Sequence, residues 1–224
     1  MNISHTAIIE QISIRDQVAD ILRRHIIAGD LKADERLSER QISLQLNVST
    51  TPVKEALRVL QSEGLTYTLP RRGTFVSSAY KEQIYQTILL RSAVDGIAAY
   101  LAAELHDDRS VRAISEPLEL AGQLIEAGST DFEKISVYND QFHEAIREAT
   151  KGKQIINLGR NLRAIDNSLR KLINAGNLNA VKGRHLEHLS ILKAIKEGEA
   201  DKAEHLMVQH IRTHSLKISM VDTN

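Results

Sequence analysis

The 224-residue chain contains no cysteine and no tryptophan, and only three prolines. Without cysteine there is no disulfide framework and no thiolate metal site, so any metal must be held by His, Asn, Asp, Glu or water. No apolar run approaches the roughly 20 residues that span a bilayer. Met1 to Glu10 lack the basic flank and apolar core of a secretory signal. These absences lead us to expect a soluble, cytoplasmic protein. A surplus of either charge is missing too: 29 Lys and Arg balance 29 Asp and Glu. That speaks against a general nucleic-acid coat protein but leaves room for a DNA reader with a small, local basic surface. Aromatics are 4% of the residues, which suits a mostly helical chain better than a β-sandwich.

What is present falls into two textures. Residues from about 8 to 76 show short helices and then a short alternating stretch. Residues from about 80 to 220 are helical nearly throughout, and the small, polar Ser77-Ser78-Ala79 reads as a linker.

In the first region, Val18, Ile21, Leu22 and Ile26 recur at helical spacing and predict a helix from about Ile14 to Ala28, closed by Gly29. A second helix begins at Ser38. Ser38 and Gln41 stand at capping-box spacing, and Leu37 and Ile42 at hydrophobic-staple spacing. It ends near Leu46-Asn47. A third starts two to four residues later, with Pro52 in its first turn, a buried stripe of Val53, Ala56, Leu57 and Leu60, and Gly64 at its end. Leu65 to Leu69 alternates like a strand, Pro70 to Gly73 is a turn, and Thr74-Phe75-Val76 is the returning strand.

Three helices and a β-hairpin with a basic tip make a winged helix-turn-helix. Thr50, Thr51 and Lys54, at the start of the third helix, are placed to reach bases or phosphates in a major groove. Arg71 and Arg72 at the wing tip suit a minor groove or the backbone, and Arg40 suits a phosphate. A plain three-helix bundle with solvated charges would show the same pattern.

The second region predicts an antiparallel bundle of six or seven helices, over about 80–106, 109–127, 131–149, 153–175, 179–197 and 200–218. Thr130 and Glu133 stand at capping-box spacing, and Gly128, Gly152, Gly176 and Gly198 fall near the breaks. Leu118, Leu120, Leu124 and Ile125, and then Leu158, Leu162, Ile165, Leu169 and Leu172, read as core. Asn139 and His143, four residues apart, share a helix face. His188 and His210 are equidistant from the turn at Gly198-Glu199, so an antiparallel hairpin sets them at one height. Three imidazoles and an amide oxygen suit a divalent ion such as zinc or nickel. With nine histidines in the chain, His185, His205 and His214 offer competing geometries.

The segments "LSERQISLQLNVSTTPVKEALRVLQSEGL" and "PRRGTFV" resemble the reading domain of the GntR family of bacterial regulators. That resemblance implies DNA contacts at Arg40, Thr50, Thr51, Lys54 and Gly73, with Arg71 and Arg72 beside them. Thr50 and Lys54 stand where the family usually has Arg. A short hydroxyl and a point charge replace a bidentate fork, so base preference at the Thr50 contact is expected to shift.

"DFEKISVYNDQFHEAI" and "EHLSILKAIKEGEADKAEHLMVQHI" resemble the FCD sensor domain of the FadR subfamily. The resemblance implies a divalent-metal site at Asn139, His143, His188 and His210, with neutral Asn139 in place of the usual Asp. It also implies a homodimer, a palindromic operator and a small organic-acid effector. Arg91 and Asp95 match a pair often found in the first helix of that domain. Arg91 then pairs with the effector's carboxylate, unless the two form only a surface i, i+4 salt bridge. Two other readings compete: a metal-dependent hydrolase with Glu144 or Glu187 as base, and a dimeric DNA-binding adaptor without effector.

Overall fold

The computed structural model describes residues 13–173 and 178–219, except for the side chains of 166, 167, 169–173 and 214–219. The expected domain start at residue 8, the break at Gly176 and the core positions Leu169 and Leu172 lie outside what is described. The chain divides into two compact units between Tyr80 and Lys81.

The first unit holds α1 (Ile14–Ala28), β1 (Arg36–Leu37), α2 (Glu39–Leu46), α3 (Thr50–Ser62), β2 (Thr66–Leu69) and β3 (Gly73–Val76). The Ser13 hydroxyl opens α1 by accepting the Asp16 N–H at 3.1 Å, and Gly29 closes it in the left-handed conformation. Ser38 likewise accepts the Gln41 N–H, and Asn47 at φ 53° ends α2. This Asn cap is what makes the turn between α2 and α3 short. Helix α1 packs on α3. Their facing stripes, Val18, Leu22 and Ile26 with Val53, Leu57 and Leu60, are buried. Each such side chain contributes about 1.5–3 kcal/mol. Arg23 clamps the end of α3 through a bidentate pair with Glu63, at 2.8 and 2.7 Å.

The sheet has three strands in the order β1-β3-β2, all antiparallel. Strand β1 adds to the expected hairpin. Its two residues are too few to show the alternation that marks a strand in sequence. Leu37 points into the core and Arg36 outward.

The second unit contains α4 (Tyr80–Leu105), α5 (Asp108–Glu126), α6 (Phe132–Ala149), α7 (Lys153–Ile173), α8 (Leu178–Lys196) and α9 (Ala200–Ser219). Helix α5 packs on α6 and α8, α8 on α9, and α7 on α6 and α9. Two expectations are corrected here. The α6 cap is Asp131, not Thr130: its carboxylate accepts the Lys134 N–H at 3.0 Å, and Asp is the better N-cap of the two. Leu158 is 42% exposed, because α7 turns Ile156, Gly159 and Ile165 inward instead.

Helix α4 shows where the chemistry sits. Its buried stripe is apolar at both ends, with Ile84 and Ile88 on one side and Ala98, Ala99 and Ala102 on the other. Between them lie Arg91, Ser92 and Asp95, each at most 2% exposed. Side chains of that kind are seldom fully buried unless paired.

Candidate nucleic-acid interface and metal centre

Thr50 and Thr51 occupy the first two positions of α3, and both are exposed, as is Lys54 one turn on. Arg40 is exposed in the first turn of α2, and Arg71 and Arg72 are exposed in the turn between β2 and β3. Arg71 adopts φ 64°, a left-handed conformation that a tight turn requires. Gly73 follows at φ 109°, where a Cβ would be strained and would lie 3.1 Å from Arg36 Nε. Glycine here therefore leaves room for a third arginine, Arg36, against the start of β3.

In the second unit α6, α8 and α9 bring His143, His188 and His210 together, each at most 8% exposed. One ligand atom from each lies within 4.8 Å of the others. The Nε2 atoms of His188 and His210 are 3.0 Å apart. Two nitrogens bound tetrahedrally to one zinc would stand about 3.3 Å apart. Among the other histidines, His185 faces Gly122 of α5 and His205 is exposed. The His214 side chain lies outside the described residues.

The donor set fits a cation in three further respects. Asn139 Oδ1 and His143 Nδ1 are buried without a hydrogen-bond partner, a costly state that a bound ion would relieve. Burial holds the His143 imidazole well below its ordinary range, reinforced by His188, Arg91, His210 and Arg147, so it stays neutral with a lone pair to give. Glu187 reaches His210 Nδ1 at 2.7 Å and so favours the tautomer that leaves Nε2 open to a metal. On that side a groove lined by Glu187, Ser190, Leu206, Gln209 and Thr213 gives His210 a path to the surface.

Beside the histidines runs a buried ion network. Asp95 accepts Arg147 on both oxygens, at 2.7 and 3.2 Å, and Arg91 Nε at 3.2 Å. Its Oδ2 lies 4.0 Å from His143 Nδ1. Arg147 also donates to Glu144, which Arg160 pairs from α7. A Cβ at Gly159 would overlap Arg147, so glycine there is what lets α7 cover it. The Arg91–Asp95 pair is therefore not the surface salt bridge that the sequence left open; it is buried and shared.

Comparison with known proteins decides the family. Residues 14–76 match the model for bacterial regulatory proteins of the gntR family, and residues 84–213 match the FCD domain. The chain belongs to the GntR family of regulators and carries an FCD domain. The HTH-type transcriptional repressor RspR of Escherichia coli is 25% identical to this regulator over 210 residues, 93% of this chain and 90% of RspR. A probable D-xylose utilization operon transcriptional repressor of Paenarthrobacter nicotinovorans is 25% identical over 203 residues, 90% of this chain and 87% of that one. The solved structure of E. coli McbR/YncC superposes with a TM-score of 0.65 at 24% identity, covering 93% of this chain and 98% of that one, a likeness of fold. Family membership removes the hydrolase reading: the regulator is not an enzyme.

Sequence reasoning named Asp95 only as the partner of Arg91 and Glu187 only as a base, and it missed Arg36 and Arg147. Only Arg36 left a usable trace, an Arg beside the inward Leu37 just before the capped α2. Glu187 is next to His188 in sequence and diverges from it around the helix. It reaches His210 of the facing helix instead, 23 residues away.

Proposed function

We propose that this protein is a cytoplasmic, ligand-responsive repressor. Residues 8–76 read a palindromic operator, 77–79 form a linker, and 80–220 bind the effector and form the homodimer. Arg40, Thr50, Thr51, Lys54, Arg71, Arg72 and Gly73 contact DNA; a wing and a helix end presented at exposed positions support that role. Asn139, His143, His188 and His210 hold a divalent ion, zinc or nickel, and Arg91 pairs with a small organic acid bound beside it. Repression is the sign given in the names of the E. coli and P. nicotinovorans relatives.

The observation that carries this reading is the convergence of three buried imidazoles from three helices, with an orphaned amide oxygen one turn before the first. Three buried imidazoles around one point are hard to justify as packing, since apolar residues would fill the space at less cost. The purified protein should retain about one divalent ion per subunit, measured by elemental analysis. Equal metal content after His188→Ala and His210→Ala overturns the site. Failure to enrich any duplex from a random pool at moderate salt overturns the reader.

A further inference from the structure

We propose that Arg36 is a further DNA contact, one that grips a single phosphate of the operator backbone and reads no base. The inference rests on the reader proposed above and adds to it a residue of β1, outside the reading helix and the wing turn.

The ground is which cations of the first unit are already neutralised. The arginines of α1 each face a carboxylate: Arg15 pairs with Asp16 at 2.8 Å, Arg23 with Glu63 at 2.7 Å and Arg24 with Asp20 at 3.5 Å. Arg36 has no such partner among the described residues, although two acids immediately precede it in the chain. Asp34 turns to β2, where its carboxylate accepts the Tyr67 hydroxyl at 3.0 Å. Glu35 turns back and accepts the Lys32 N–H at 2.9 Å. Both neighbours that could quench the guanidinium are bonded elsewhere.

The charge is also held in place. Arg36 stands opposite Phe75 in the ladder of β1 and β3. Gly73 lies two residues before Phe75, and so on the same face of β3. The guanidinium leans over the spot that a Gly73 side chain would fill, with Nε 3.1 Å and Nη2 3.5 Å from where that Cβ would be. Gly73 directly follows Arg71 and Arg72, so the free charge of Arg36 stands at the end of the turn that carries theirs.

An exposed, unpaired guanidinium that is already positioned suits an anion from outside, and a phosphate takes its fork in two parallel bonds. Ordering the side chain beforehand lowers what binding must offset. Base edges are the poorer match. Arg36 projects from the edge strand of the sheet, not from the helix end or the turn tip that enter the grooves.

The test compares full-length wild-type, Arg36→Gln and Arg36→Lys proteins on the duplex that the wild type enriches from a random pool. Losing one phosphate contact lowers the slope of log affinity against log salt by about 0.9, and affinity by about eightfold at about 0.1 M salt, the gap closing toward about 1 M. Arg36→Gln should show both effects. Arg36→Lys, which keeps a point charge, should keep most of the slope. Neither change should reorder preferences among single-base variants of that duplex, since a phosphate contact supports all sequences alike.

An unchanged slope in Arg36→Gln overturns the contact and leaves the reader standing. A reordered base preference overturns the phosphate assignment. Equal loss in Arg36→Gln and Arg36→Lys, with a lower melting temperature in both, makes the residue structural and overturns the contact. Failure of the wild type to enrich any duplex overturns the reader and this inference together.

Discussion

The two units of this regulator place their chemistry oppositely. In the first, the groups proposed to meet DNA stand on exposed positions of α2, α3 and the wing, over a mainly apolar core in which Arg23, paired with Glu63, is the one buried charged side chain among the described residues. In the second, the polar groups lie inside: Arg91, Asp95, Asn139, His143, Arg147, His188 and His210 are all at most 8% exposed. A surface for a macromolecule can be altered with little effect on stability. A buried polar site cannot, because its members satisfy one another and a missing partner leaves a desolvated charge.

The sharpest way to break that contrast is Asp95→Asn. It removes the charge shared by Arg91 and Arg147, and should cost about 3–5 kcal/mol. Calorimetry should show the loss confined to the transition of the helical unit. A uniform fall of both units would mean that the contrast is not one of stability.

Thr50→Arg probes the other side. It should change preference at one base pair of the selected operator by about 1–3 kcal/mol, with thermal stability unchanged within about 0.5 kcal/mol. If selection returns the same operator, Thr50 does not read that position.

The smallest effect is in pH. His143 is neutral in the fold because burial depresses its protonation. The unfolded chain gains a proton as pH falls through its ordinary value of 6.5, and the folded chain does not. Stability from this residue is therefore present above that pH and lost below it, by at most about 1.4 kcal/mol per pH unit. Denaturant titrations of the metal-free protein between pH 7.5 and 5.5 should show the decline, and His143→Gln should flatten it.

Much of the fold could be read in one dimension because its signals are local. Ser38, Asn47 and Gly64 mark helix ends through their own backbone preferences, and Ser38 and Asn47 do so in the structure through caps that span three or four residues. The Thr130 expectation failed by one position because Asp131 offers the stronger cap beside it. His188 and His210 were legible for a geometric reason: a hairpin with a short turn converts sequence distance into height. The Leu158 expectation failed because a helical period gives a stripe's spacing but not which edge faces the neighbours.

The amino-acid order alone determined a winged reader, a helical bundle and the histidines that face one another across its last hairpin, since caps, turn residues and periodicity act within a few positions. Only the folded chain decided that Asp95 is held by Arg147, 52 residues away, and that Glu187 backs His210 from the opposite helix. Long side chains on different helices find their partners through packing, and no spacing rule connects residues that only the bundle brings within hydrogen-bond reach.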